Sequence, residues 1–351
     1  MSRKYHPIKN ILDRLGPGLI TGASDDDPSG IGTYSQAGAA LGYATLWTAV
    51  MTLPLMIVVQ HICAKIGMCS GRGLAGVLHR YYSKKLLYPV VIGLVIANTI
   101  NAGADIAAIA AAINMFVPIP ISAMVIPIAI AIVVLQIWGS YRLIMKIFKW
   151  LTLSLFAYVI AAFLAKPDWS AVAWATFVPQ ISLSSTYITT IVAILGTTIS
   201  PYLFFWEASE EVEEEKSEGR TKLSDRKGAT DKEIKKEKID TIVGMLFCNV
   251  VFYFVIVSAG ATLHVTGQTN IQSATEAAQA LRPLAGNFAT VLFGIGLIGA
   301  GLLATPLCQY FISVRRASGL LVGGGLLLWS AVLTPWQDVQ VRISPGWKES
   351  Q

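Results

Sequence analysis

Thr21-Gly-Ala-Ser-Asp-Asp-Asp-Pro-Ser-Gly30 interrupts an otherwise apolar segment that runs from about Leu15 to Ala40. Carboxylates at membrane depth are costly, and by default they mark a functional site, most often an ion pathway. Pro28 removes a backbone donor and clashes with the preceding turn, so a helix through this point must break. Broken backbone inside a bilayer is tolerated only where it faces protein or a water-filled cavity. The stretch therefore predicts a polar site inside a membrane, provided that the rest of the chain spans one.

The composition says that it does. Of 351 residues, 54% are hydrophobic and only 14% charged, where an ordinary soluble domain has about 25% charged. The mean hydropathy is +0.58. A spanning helix needs about 20 mostly apolar residues, and eight such segments are legible, at about 15–40, 44–64, 87–116, 121–138, 143–165, 187–206, 241–263 and 286–312. A weaker, glycine-rich ninth covers about 317–334. Lys and Arg fall in alternate connections, from Arg3, Lys4, Lys9 and Arg14 through Lys65–Lys85 and Arg142 to Arg315 and Arg316. Positive-inside counting then puts the N-terminus in the cytoplasm, with every loop in agreement. The net charge of +6 is scattered and gives no reason to expect nucleic acid. Cys63, Cys69, Cys248 and Cys308 have no metal-ligand spacing and read as small hydrophobes. Glu207 to Asp240, acidic at its start and basic at its end, reads as a solvated cytoplasmic loop with helical ends; the sharper alternative is an acidic vestibule that concentrates cations.

The first break has a counterpart. Gly196-Thr-Thr-Ile-Ser-Pro201 places a proline beside polar residues in the middle of the sixth segment, five segments after the first. An odd number of helices per repeat inverts the second copy. Paired broken helices in inverted repeats point to a transporter binding site near the bilayer midplane, where freed carbonyls coordinate cations. Asp27 would supply the charge.

Gly16-Pro-Gly-Leu-Ile-Thr-Gly-Ala-Ser-Asp-Asp-Asp-Pro-Ser-Gly30 and Gly196-Thr-Thr-Ile-Ser-Pro-Tyr-Leu203 resemble helices 1 and 6 of the Nramp family of divalent metal transporters. The resemblance implies an all-α polytopic membrane protein, a LeuT-type inverted-repeat bundle with helices 1 and 6 broken. About eight or nine spans are present, so the second repeat is incomplete. The parts expected are a cytoplasmic tail (1–14), a first five-helix repeat (15–165), a second repeat (187–334) with the cytoplasmic loop 207–240, and a polar tail (335–351). Family members usually bind metal through Asp-Pro-Gly-Asn in helix 1 and Met-Pro-His in helix 6. Here Asp27 is kept, Gly30 stands at the Asn position, Ser200-Pro201-Tyr202 replaces Met-Pro-His, and Thr197 takes the carbonyl position. The soft thioether is gone, and an oxygen-only, roomier site suits a hard cation that keeps its waters, Mg²⁺ or Mn²⁺ ahead of Fe²⁺. The pattern is closest to the Nramp-related magnesium transporter branch.

The resemblance thus implies Asp27, Thr197, Ser200 and Gly30 as metal-site residues. Thr197 and Ser200 would supply oxygens directly or through water, unless their hydroxyls bond back to the preceding turn. Asp105 resembles the family's proton-path aspartate, and Ala108 replaces the glutamate one turn on, which puts proton coupling in doubt. Asn98 and Asn101 share the Asp105 face of their helix and extend it into a candidate ion or proton lane, with a helix–helix hydrogen bond as the plain alternative. Asp26 joins that lane as a candidate, since three consecutive aspartates cannot all face one site. Tyr202 is the last candidate, although it reads better as a packed aromatic.

The expected activity is secondary transport of a divalent metal ion, as substrate and without cofactor, in the cytoplasmic (inner) membrane of a prokaryote. The expected partners are the metal and the lipid bilayer, and no enzyme activity is expected. A LeuT-type carrier of an organic substrate is the first alternative, disfavoured because the aspartates would repel an anion. An intramembrane aspartyl protease would need Asp27 and Asp105 to share a proton. A truncated or frame-shifted, non-transporting product is a further expectation, because the sequence after about residue 305 departs from the family.

Overall fold

The chain breaks at Pro28 and Pro201, while Pro54, Pro89 and Pro127 lie inside continuous helices. A computed structural model of the chain describes residues 17–138, 141–271, 273–280 and 282–312, and their only regular structure is helical. Helix α1 (Pro17–Asp25) stops before Asp27, and α2 (Pro28–Leu41) starts at the proline. At the first helical position the missing N–H of Pro28 costs nothing, and the Asp27 side chain caps the new helix. Next come α3 (Trp47–Ser70), α4 (Leu74–Tyr81), α5 (Lys84–Asn114), α6 (Ile121–Trp138), α7 (Tyr141–Thr152), α8 (Phe156–Leu164) and α9 (Trp169–Phe177). The second break repeats the first, with α10 (Ser185–Thr198) ending before Ser200 and α11 (Pro201–Ser217) opening on Pro201. The described chain closes with α12 (Asp231–Ala259), a π turn at Gly260–His264, α13 (Ala274–Ala280) and α14 (Arg282–Ile312). This is a LeuT-type inverted-repeat bundle in which α1–α2 and α10–α11 are the broken helices 1 and 6.

Among the described residues, four helices are long and apolar enough to cross a membrane: Trp47–Ser70, Leu87–Asn114, Ser185–Ser217 and Asp231–His264. A fifth is gained if Trp150–Leu164 and Trp169–Phe177, bent by 118°, count as one span. Helix 1 is divided at its break, and Ile121–Leu135 and Val291–Thr305 are further, shorter apolar stretches. The ninth segment at 317–334 and the tails 1–14 and 335–351 lie outside the described residues. α5 shows how the pattern sorts itself. Ile92, Ile96 and Ile100 are exposed along one face, while Asn98, Ala102 and Asp105 are buried on the other.

Two features depart from the sequence reading. Residues 207–240 have the expected helical ends but are not solvated throughout. α11 continues to Ser217 and α12 begins at Asp231, and Glu207, Glu210, Glu211, Glu215, Glu237 and Asp240 are buried. Helical periodicity packs these charges against the bundle even though the stretch is polar. The connection after α8 also holds a helix, α9, whose N-terminus is capped by Asp168 accepting from the N–H groups of Ser170 and Ala171.

α1 is held tightly against α12. A Cβ on Gly22 would collide with the Gly244 carbonyl, and one on Gly244 with the Gly18 carbonyl. Small residues let two membrane helices approach at backbone distance, where close packing is the main source of association. Beyond this crossing, Tyr34 of α2 stacks on Phe252 of α12 at 4.8 Å and Tyr158 of α8 meets Phe293 of α14 edge-on at 4.7 Å. The core therefore runs between the two repeats and encloses both breaks.

Candidate functional site

Asp27 is 2% exposed and sits at the first break with both carboxylate oxygens engaged. Its Oδ1 accepts from the Gly30 N–H at 2.5 Å, the ordinary bond of a helix cap. The Ser29 hydroxyl lies 2.8 Å from the same oxygen and 3.0 Å from Asn101 Oδ1. On the far side, Asn101 Nδ2 of α5 donates to Asp27 Oδ2 at 2.6 Å. The Tyr202 hydroxyl of α11 is 3.5 Å from that oxygen and 3.4 Å from the Ser24 carbonyl, both long contacts. Four elements thus converge on one carboxylate: the break itself, the start of α2, α5 and α11.

The second break faces the first across Gly30. A Cβ built there would lie 3.0 Å from Thr197 Oγ1 and 3.1 Å from Asp27 Oδ1, so the glycine hydrogen occupies the gap between the two. The Thr197 carbonyl accepts from the Ser200 hydroxyl at 2.5 Å. The Ser200 oxygen is turned back onto its own chain, as hydroxyls in membrane helices often are, and keeps only its lone pairs for another partner. Beside them, Tyr34 OH and Thr198 Oγ1 are 3.1 Å apart.

Asp105 is fully buried, and neither carboxylate oxygen has a hydrogen-bond partner. It therefore makes no hydrogen bond with Asp27, and the shared-proton dyad that an aspartyl protease needs is not formed. Asn98, one face-repeat away, is also buried, with its Nδ2 unpartnered. Asn101 belongs to the direct surroundings of Asp27 and makes the helix–helix hydrogen bond that the sequence left as the alternative. Tyr202 is buried but is more than a packed aromatic, since its hydroxyl points at the break.

Asp25 and Asp26 turn away from this centre to a residue the sequence reading set aside. Cys248 Sγ of α12 lies 3.1 Å from Asp25 Oδ2 and 3.6 Å from Asp26 Oδ1. All three residues are fully buried. Read as a small hydrophobe, Cys248 instead holds a thiol donor on the aspartate run, and nothing in its local sequence says so. Two further contacts tie α1 to the second repeat: Asp240 Oδ2 accepts from the Gly18 N–H at 2.9 Å, and Thr21 Oγ1 donates to Glu207 Oε2. Among the described residues, no three His, Cys, Asp or Glu side chains are grouped to hold a metal ion. Any ion at Asp27 must complete its shell with hydroxyls, backbone carbonyls and water.

Comparison with known proteins gives one consistent result. The family model "Natural resistance-associated macrophage protein-like" matches residues 18–334, well past residue 305, where the sequence reading placed the departure from the family. The "Divalent metal cation transporter MntH" of Pectobacterium carotovorum subsp. carotovorum (strain PC1) is 29% identical over 310 residues, 87% of this chain and 71% of that protein. The protein of the same name from Deinococcus radiodurans is 26% identical over 299 residues, 84% of this chain and 66% of its own length. A crystal structure of the Eremococcus coleocola manganese transporter, in complex with an aromatic bis-isothiourea substituted compound, superposes with a TM-score of 0.71. It does so at 18% identity over 98% of this chain and 74% of that one.

Proposed function

The chain belongs to the Nramp family, and on that premise we propose that it carries divalent metal cations across a membrane by alternating access. The observation that carries the proposal is the cradle of Asp27, where a buried carboxylate at one helix break faces Thr197 at the other through Gly30. Asp27 is the charged ligand. Thr197, Ser200 and the backbone at Gly30 line the remainder, and Tyr202 and Asn101 position the carboxylate. Asp26, Asp105 and Asn98 are assigned to the polar path around it.

The donor set favours Mg²⁺ or Mn²⁺ over Fe²⁺. Every ligand atom offered near Asp27 is oxygen, with no thioether or imidazole among them. Mg²⁺ dehydrates reluctantly and is usually held by one or two carboxylates plus waters. Proton coupling is weak or absent in this reading, because Ala108 supplies no carboxylate one turn beyond Asp105. The relatives named as divalent metal cation transporters, and the manganese transporter of like fold, support metal as the cargo class. The membrane in this reading is the cytoplasmic one, with the start of α1 on its inner side, and the two repeats are those that hold the two helix breaks.

Uptake of Mn²⁺ and Mg²⁺ into proteoliposomes tests this, wild type against Asp27→Ala. The proposal expects the variant to lose uptake of both ions. Equal uptake by the two proteins would remove the mechanism.

A further inference from the structure

A second set of carboxylates lies apart from the aspartate run, at the end of the bundle that holds the first turns of α1. Glu207, Glu211 and Glu215 recur every four residues along α11 and so share one face. α12 brings Glu237 and Asp240 to the same place. None of the five is more than 5% exposed. Three have firm partners: Glu207 accepts from Thr21, Asp240 from the Gly18 N–H at 2.9 Å, and Glu237 from Thr241 at 2.7 Å while pairing with His61 at 2.6 Å.

An acidic face alone can be satisfied by water and is not a site. The oxygens without partners single this one out. Both carboxylate oxygens of Glu215 are buried with no hydrogen bond, and the nearest cation, Arg220, is 3.6 Å away. Glu207 Oε1, fully buried two turns earlier on α11, has no hydrogen bond either. A cleft opens here between α11 and α12, lined by seven carboxylates against two cations, Arg220 and Lys236. Both cations are already engaged, Arg220 shared among Glu233, Glu215 at 3.6 Å and Glu218 at 3.9 Å, and Lys236 with Glu214 at 3.1 Å. Buried carboxylates in this excess must either take up protons or hold a further cation close by.

The donors are all hard oxygens, which select Mg²⁺, Ca²⁺ or Mn²⁺. Because no three of them converge on one point, the ion they take is one that keeps its water. We propose that this cleft is a second divalent-cation site, holding a hydrated ion of the Mg²⁺ class between Glu211 and Glu215 of α11 and Glu237 of α12. In the orientation proposed above it lies at the cytoplasmic mouth, so its position rests on that reading while its chemistry does not.

The test counts ions on the full-length protein in detergent, titrating Mn²⁺ and following free Mn²⁺ by electron paramagnetic resonance, with Mg²⁺ as competitor. Wild type binds two ions, and Asp27→Ala keeps one. Adding Glu211→Gln and Glu215→Gln to that background weakens the remaining ion by about tenfold or more. Adding Lys236→Gln instead tightens it, since a competing cation has gone; this side chain is 57% exposed and its replacement spares the fold. No bound ion in Asp27→Ala overturns the second site, and so does an affinity that neither the glutamines nor Lys236→Gln changes. Two ions in Asp27→Ala would instead overturn the assignment of Asp27 and leave the cleft standing.

Discussion

Asn101→Leu separates two roles that the geometry gives to Asn101. In the structure its Nδ2 donates to Asp27 Oδ2 at 2.6 Å, the shortest bond that another helix makes to this carboxylate. Removing the donor leaves a buried charge short of one partner. A hydrogen bond to a charged group contributes about 1.5–3 kcal/mol. A divalent ion on Oδ2 would compensate the same charge, so the loss falls mainly on the metal-free protein. The metal-bound state then gains relative to the empty one by up to that amount. At about 1.4 kcal/mol per factor of ten, Mn²⁺ should bind about ten- to a hundredfold more tightly. Release slows accordingly, and turnover in uptake falls. The assay is Mn²⁺ affinity by calorimetry on purified protein, paired with initial uptake rates, with gel filtration to show that the variant is folded. Weaker Mn²⁺ binding by a folded Asn101→Leu protein would refute the reasoning, because it would make Asn101 a ligand in its own right.

The other expectations follow the same contacts. Gly30→Asn puts a side chain where a Cβ alone lies 3.0 Å from Thr197 Oγ1 and 3.1 Å from Asp27 Oδ1, and brings an amide oxygen that would displace a water from a bound ion; because Mg²⁺ dehydrates reluctantly, Mg²⁺ uptake should fall more than Mn²⁺ uptake, and competition between the two ions in one assay reads the ratio. Gly22→Val forces a branched side chain into the Gly244 backbone and should destabilise the protein by about 1–3 kcal/mol or more, seen as a lower unfolding midpoint in detergent. Asp105→Asn removes a buried carboxylate that has no hydrogen bond, so stability should hold or rise; if transport is uncoupled from protons, the dependence of Mg²⁺ uptake on external pH should be the same in the variant as in wild type.

Much of this arrangement is legible in the residues themselves. Pro28 and Pro201 end a helix where polar residues flank them, whereas Pro54, Pro89 and Pro127 stay inside continuous apolar helices, and the aspartates beside the first fix which break carries charge. Hydropathy gave the segments, because lipid-facing stripes such as Ile92, Ile96 and Ile100 demand an apolar surface. The acidic stretch after Trp206 was harder, since a run of glutamates reads as solvated by composition. A signal was nevertheless present: Glu207, Glu211 and Glu215 recur at helical spacing and share a face that can be buried. The Gly18-Leu-Ile-Thr-Gly22 spacing likewise announces a close helix contact, although its partner Gly244 is known only from the fold. Cys248 carries no such signal. Its thiol matters because α12 happens to pass the aspartate run, a relation between residues more than two hundred positions apart.

The central claim is that a divalent ion sits between the two helix breaks, on Asp27. Anomalous diffraction from crystals grown with Mn²⁺ tests it most directly. The account predicts a Mn²⁺ peak beside the Asp27 carboxylate, between Gly30 and Thr197, that disappears in Asp27→Ala crystals. A map in which Mn²⁺ occupies other positions and leaves the Asp27 cradle without a peak would contradict it.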